Sequence, residues 1–160
     1  MKTLKIDHMS PRGEGVAIEC GEKIFVPFAL TGETVSVRIE GHYAELIDIL
    51  APSPQRVQAI CRFYGQCGGC AVQTLTDGAY AAWKISLLEN AAQREGLNLK
   101  ILPMINAQGS GRRRVALHAR MSNGIARVGF MASRSHRLVE INHCPLLVAE
   151  LKPALKAAQD

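Results

Sequence analysis

The sequence predicts a mostly β protein with a few helices (α+β): a small OB-like barrel over residues 1–52, then an antiparallel sheet domain over residues 53–160 clamped by a metal cluster. Three observations predict it. Short strand-like runs separated by turn residues fill residues 3–50, the spacing of a small barrel. A second strand set surrounds Asn123-Gly124, the strongest short hairpin signal in the chain. Between them, Cys61, Cys67 and Cys70 fall within ten residues as Cys-x5-Cys-x2-Cys.

The barrel is read element by element. Leu4 to Met9 is a first strand, and Ser10 to Gly15 is a loop by composition. Val16–Cys20 and Lys23–Val26 flank a Gly21-Glu22 turn, which places Cys20 on a strand as a small core residue. Val35, Val37 and Ile39 alternate with Thr34, Ser36, Arg38 and Glu40, so one face of that strand is apolar. Tyr43 to Leu50 follows Gly41-His42 as the fifth strand, and Ala51-Pro52-Ser53-Pro54 is a stiff, extended linker.

A helix is expected over about residues 76–95. Thr76 can cap it, Asp77 suits the positive end of its dipole, and Gly96 can end it. Tyr80, Trp83, Leu87, Leu88 and Ala91 share a face, which reads as core rather than as a base-stacking platform. Residues 112–141 form an antiparallel meander. Val115, Leu117, Ala119 and Met121 are the apolar face of its first strand, with Arg112, Arg114, His118 and Arg120 opposite. Ala126, Val128 and Phe130 continue the apolar side, with Arg127 opposite. Arg134-Ser135-His136-Arg137 is a basic turn, and Leu138–Ile141 leads to Cys144. Pro145 marks the start of a last helix carrying Leu147, Leu151 and Leu155.

Charge adds a function class. The net charge is +5, but residues 1–56 carry six basic and eight acidic residues, leaving +7 for the remainder. From Gly96 to Val139 there is no acidic residue, while Lys100, Arg112, Arg113, Arg114, Arg120, Arg127, Arg134 and Arg137 lie there. A long basic stretch without acids is a footprint for phosphate. Arg112, Arg114, Arg120, Arg127, Arg134 and Arg137 are the candidate RNA contacts. In the barrel only Arg12, Lys23 and Arg38 qualify, and each reads first as plain surface. No apolar run is long enough to span a membrane and no targeting segment is visible, so a cytoplasmic monomer is expected.

Cys144, followed by Pro145, is the best fourth partner for Cys61, Cys67 and Cys70. The 3+1 spacing suits a [4Fe–4S] cluster, in which each iron needs one terminal thiolate. Zinc remains open, although its knuckles usually come as two Cys-x2-Cys pairs, and disulfides are disfavoured in the cytosol.

Cys61-x5-Cys67-Gly68-Gly69-Cys70-x2-Gln73, preceded by Pro52-Ser53-Pro54-x-Arg56, resembles the RNA 5-methyluridine (uracil-5-) methyltransferase family, in its iron–sulfur 23S ribosomal RNA branch. Arg112-Arg113-Arg114-Val115, Val128-Gly129-Phe130 and Asn142-His143-Cys144-Pro145-Leu146 are similar to that branch's central domain. Gly13-x-Gly15, Phe25-Val26-Pro27 and Gly32-Glu33-x-Val35 are similar to its N-terminal TRAM barrel. The resemblance implies that Cys61, Cys67, Cys70 and Cys144 bind a [4Fe–4S] cluster and that the partner is ribosomal RNA. It also implies S-adenosylmethionine as cofactor of the complete enzyme. In that family a cysteine thiolate adds to C6 of uracil, C5 takes the methyl group, and a base removes the C5 proton. The Asp/Asn-Pro-Pro-Arg type signature of the catalytic domain is absent from this sequence. The chain is thus expected to be the N-terminal part, binding RNA without methylating it, with no catalytic or S-adenosylmethionine-binding residue of its own. The alternatives are a free-standing zinc-containing RNA-binding module and a ferredoxin-like electron carrier. The latter is disfavoured because such carriers tend to be acidic.

Overall fold

The computed structural model describes residues 1–106 and 111–158. They fall into two compact units: residues 1–58 with 71–104, and 59–70 with 105–160. The architecture is α+β and mostly β, as the sequence predicts.

The first unit is a curled sheet of six strands: β1 (Lys2–Lys5), β2 (His8–Met9), β3 (Gly15–Glu19), β4 (Glu22–Val26), β5 (Thr34–Glu40) and β6 (Tyr43–Ala51). Their order is β1-β5-β6-β4-β3-β2. The expected first strand is two strands, and the reason is closure. The Ile6 amide donates to Glu33 O, whereas the next amide, Asp7, donates to Val16 O, both at 2.8 Å. The chain changes partner between consecutive residues and joins the two ends of the sheet, which removes its open edges. Val35 and Val37 are fully enclosed, as their alternation requires, and pack with Leu4, Ile6, Ala17, Ile24, Val26, Ala29 and Ala44.

Cys20 corrects the sequence reading. It is exposed and lies in the β3–β4 turn, where Cys20 and Gly21 adopt φ of 49° and 82°. Glu19 pairs with Glu22 across a two-residue loop, and such loops need positive φ at both central positions.

Helix α1 (Asp77–Arg94) belongs to the first unit. Thr76 Oγ1 accepts from the Ala79 amide at 3.4 Å, and Gly96 takes φ 67° beyond the last turn. Tyr80, Trp83 and Leu87 of the expected face are partly buried, but Leu88 and Ala91 are exposed and Ala92 is enclosed in their place. Trp83 packs toward the barrel loop. A Cβ built on Gly13, at φ 82°, would lie 2.7 Å from Val72 Cγ1 and 3.7 Å from Trp83 Cη2. That close approach explains a glycine at this position.

The second unit carries a three-stranded sheet, β7 (His118–Ser122), β8 (Ile125–Met131) and β9 (Leu138–Glu140), in that order. Asn123 and Gly124 take φ of 52° and 76° in the β7–β8 turn, as the dipeptide predicts. β7 begins later than expected. The Gly68 amide donates to Met131 O at 2.9 Å and Cys67 bridges Ala132, so the cysteine loop occupies the end of β8. Val115 and Leu117 instead pack against the core of Ala132, Val139, Ile141, Cys144, Leu147 and Leu155. Ala119 and Met121 are exposed rather than apolar core. The last helix also starts late. A 3₁₀ turn over Ala149–Leu151 leads into α2 (Lys152–Ala157), with Leu147 and Leu155 buried as their spacing suggests.

Gly129 sits where β8 and β9 touch most closely: a Cβ there would lie 1.9 Å from Val139 O. Gly129→Ala is expected to destabilise the second unit by about 3 kcal/mol, the upper end of ordinary overpacking, because backbone must move. Gly78→Ala meets nothing within 4 Å and is expected to be neutral or slightly stabilising. Urea unfolding read by hydrogen exchange, of the β8–β9 amides for the first variant and of the α1 amides for the second, checks both. Among the described residues no helix is long and apolar enough to cross a membrane.

Candidate functional site

All four candidate thiols lie in the second unit. Cys61, Cys67 and Cys70 are half-buried and Cys144 is buried. The loop carrying the first three is short and fixed by its own backbone. Tyr64 N donates to Cys61 O at 3.0 Å, and Cys67 N donates to Phe63 O at 2.9 Å. Gly68 must be small, since a Cβ there would lie 3.0 Å from both Met131 O and Ser133 N. Arg62 donates to Asn142 Oδ1, linking the loop to the residues just before Cys144. Cys144 follows β9, and Leu147 N donates to Cys144 O at 3.3 Å.

Burial pushes the Cys67 thiol up most strongly, and the neighbouring Cys70, Cys61 and Cys144 push it further. The Gly69 amide, 3.4 Å from Cys67 Sγ, opposes this. Among the described residues no group of three His, Cys, Asp or Glu side chains is gathered so as to hold a metal ion. The donor set is four thiols in one unit, the ligand chemistry that an iron–sulfur cluster takes. In a cluster each thiolate meets a different iron, so four sulfurs need not converge on one point.

The six candidate RNA contacts divide into distinct settings. Arg120 and Arg127 stand directly opposite each other on β7 and β8, so both side chains project from one face. Arg127 also pairs with Glu140 at 2.6 Å, with both side chains about half exposed. Such an exposed pair is worth little and yields readily to a phosphate. Arg114, Arg134 and Arg137 are exposed, with Arg134 at φ 53° in the turn before β9. Arg112 is different. Its guanidinium donates to Gly69 O at 2.5 Å and to Cys70 Sγ at 3.6 Å, so it faces the cysteine loop. Its place opposite the apolar face of a strand is corrected: Arg112 lies outside β7 and bridges Leu147. In the barrel, Arg38 is paired with Glu45 at 2.6 Å.

Sequence reasoning noted Glu33 and Arg56 only as motif residues. They form an ion pair in which Glu33 is fully enclosed and Arg56 is 17% exposed. No local rule connects residues this far apart. The available signals are a glutamate at the start of an apolar strand and an arginine just past a Pro-x-Pro turn.

The chain therefore joins a small closed barrel to a cysteine-rich sheet unit. No family model matches it. It is 43% identical over 160 residues to an uncharacterized RNA methyltransferase of Caulobacter vibrioides, covering 98% of this chain and 39% of that protein. It is 36% identical over 171 residues to the 23S rRNA (uracil(1939)-C(5))-methyltransferase RlmD of Halomonas elongata, covering 99% of this chain and 35% of the relative. The protein of the same name from Photorhabdus laumondii is 33% identical over 163 residues, with 96% and 37% covered. Nearly the whole chain is thus similar to RNA methyltransferases, two of them named for the C5 methylation of a 23S rRNA uracil. It spans less than two fifths of the length of these relatives.

Proposed function

We infer that this chain is the RNA-recognition and [4Fe–4S]-binding N-terminal part of an S-adenosylmethionine-dependent 23S rRNA uracil-5-methyltransferase, acting as a cytoplasmic monomer. The observation that carries this reading is the match of nearly the whole chain to proteins named for that activity. Cys61, Cys67, Cys70 and Cys144 would hold the cluster, which would tie the 61–70 loop to the segment after β9. S-adenosylmethionine would supply the methyl group through the part of the enzyme outside this chain, so this chain alone binds RNA without methylating it. Arg120 and Arg127, with Arg114, Arg134 and Arg137, would follow the phosphate backbone or stack on unpaired bases with their planar forks.

The test is a salt titration of binding to 23S rRNA fragments. Arg120→Ala/Arg127→Ala is expected to flatten the salt slope by up to about 1.4 units, at roughly 0.7 per lost contact with single-stranded RNA. Arg12→Ala/Lys23→Ala, in the acidic barrel, is expected to change it less. An unchanged slope in the first variant with a collapsed slope in the second would move the RNA site to the barrel and overturn the assignment.

A further inference from the structure

Arg112 bonds to the Cys70 end of the loop through its side chain and to the residues just after Cys144 through its backbone. Its backbone amide donates to Leu146 O at 2.6 Å, and its carbonyl accepts from the Val148 amide at 3.2 Å. These bonds lock it in parallel register with Leu147, three residues beyond Cys144. Its side chain reaches the other way, donating to Gly69 O and to Cys70 Sγ. The flanking chain is shaped for this approach. A Cβ on Gly111, at φ 71°, would lie 3.0 Å from Val148 N, and one on Gly69 would meet Cys67 Sγ at 3.4 Å and Arg112 Nη1 at 3.5 Å, which places the guanidinium beside the loop.

We propose that Arg112 is a positioning residue of the cluster site rather than an RNA contact: it ties the Cys70 end of the loop to the Cys144 segment and places a permanent positive charge on a ligand sulfur. The inference rests on the cluster reading above. Four thiolates around a cluster carry excess negative charge. A donor to a ligand sulfur offsets that charge, orients the ligand and raises the reduction potential. Arginine suits the task better than lysine, because its planar fork can serve a carbonyl and a sulfur together and never loses its charge.

The experiment uses the full chain, purified anaerobically as wild type, Arg112→Lys, Arg112→Gln and the neighbouring control Arg113→Gln. Three quantities are read: iron per chain, the rate of cluster loss to an iron chelator, and the midpoint potential in a dithionite titration. Arg112→Gln is expected to lose its cluster about tenfold faster or more, the usual scale for removing a partner of a metal ligand. Its potential should shift to a more negative value. Arg112→Lys keeps the charge without the fork, so its potential should stay nearer the wild type while its cluster is lost faster. Arg113→Gln should match the wild type. The salt slope of RNA binding should be unchanged in Arg112→Gln. If Arg112→Gln fails to fold, Arg112→Lys still decides: cluster loss at the wild-type rate overturns the proposal. A wild-type cluster in both Arg112 variants, or a flattened salt slope with an unaltered cluster, also overturns it. Wild-type protein that carries zinc or no iron overturns the cluster reading itself, and this proposal with it.

Discussion

Arg56→Met is expected to destabilise the barrel unit by about 3–5 kcal/mol, the cost of stranding one member of a buried ion pair. Glu33 is the member left behind, and it has no access to water. In the intact protein Arg56 Nε donates to its Oε1 at 2.5 Å and Nη2 to its Oε2 at 2.9 Å. The amides of Leu30 and Ser53 donate to the same carboxylate at 2.8 Å and 3.2 Å. Arg56 Nη2 also donates to the carbonyl of Phe28, which sits at φ 69°, an uncommon conformation for a bulky residue. The pair thus fastens the chain before β5 to the chain after Pro52. Glu33→Ala is expected to cost somewhat less, because Arg56 keeps some solvent exposure. Replacing both by apolar residues should cost less than the sum, since neither charge is then stranded.

The same pair sets a pH dependence. Burial is the largest effect on the Glu33 carboxyl and pushes its pKa up. The Arg56 hydrogen bond, the Leu30 and Ser53 amides and the Arg56 charge outweigh it together, so the net shift is downward. A depressed carboxyl contributes stability that is complete above the unfolded value, about 4.3, and is lost as pH falls through the folded one. Stability of the wild type should therefore fall below about pH 4, and Arg56→Met should show less of that acid loss. Urea midpoints at neutral and acid pH test both statements. A neutral-pH loss under about 1 kcal/mol for Arg56→Met would contradict the clamp, being the size expected of an exposed pair.

Cys67→Ser is expected to abolish cluster binding, whereas Cys20→Ser retains full metal content. Cys67 is tied to the end of the sheet through its bridge to Ala132, and its thiol is raised by burial first and by the other three thiols after it. Serine there keeps the bridge and removes the ligand. Cys20 is exposed in a turn of the other unit. Iron analysis of the two variants is the measurement, and equal loss in both would show that the ligand set is wrong.

Much of this was legible in the sequence where a local rule decides the outcome. Alternation at residues 34–40 gave the enclosed Val35 and Val37, Asn123-Gly124 gave its hairpin, and Thr76 with Gly96 bracketed α1. Errors arose where distant segments compete for one edge. Sheet closure divides the first strand at Ile6–Asp7, and the cysteine loop takes the end of β8 that the chain upstream of His118 would otherwise pair with. Turn geometry drew Cys20 out of the core. The Glu33–Arg56 clamp and the turn of Arg112 toward Cys70 depend on three-dimensional placement that spacing alone does not encode.

The most direct test of the central claim is an absorption spectrum of the anaerobically purified full chain, with iron, sulfide and zinc determined on the same sample. The account predicts a brown protein with about four irons per chain, as one [4Fe–4S] cluster on Cys61, Cys67, Cys70 and Cys144 requires. One zinc per chain and no visible absorption would contradict it.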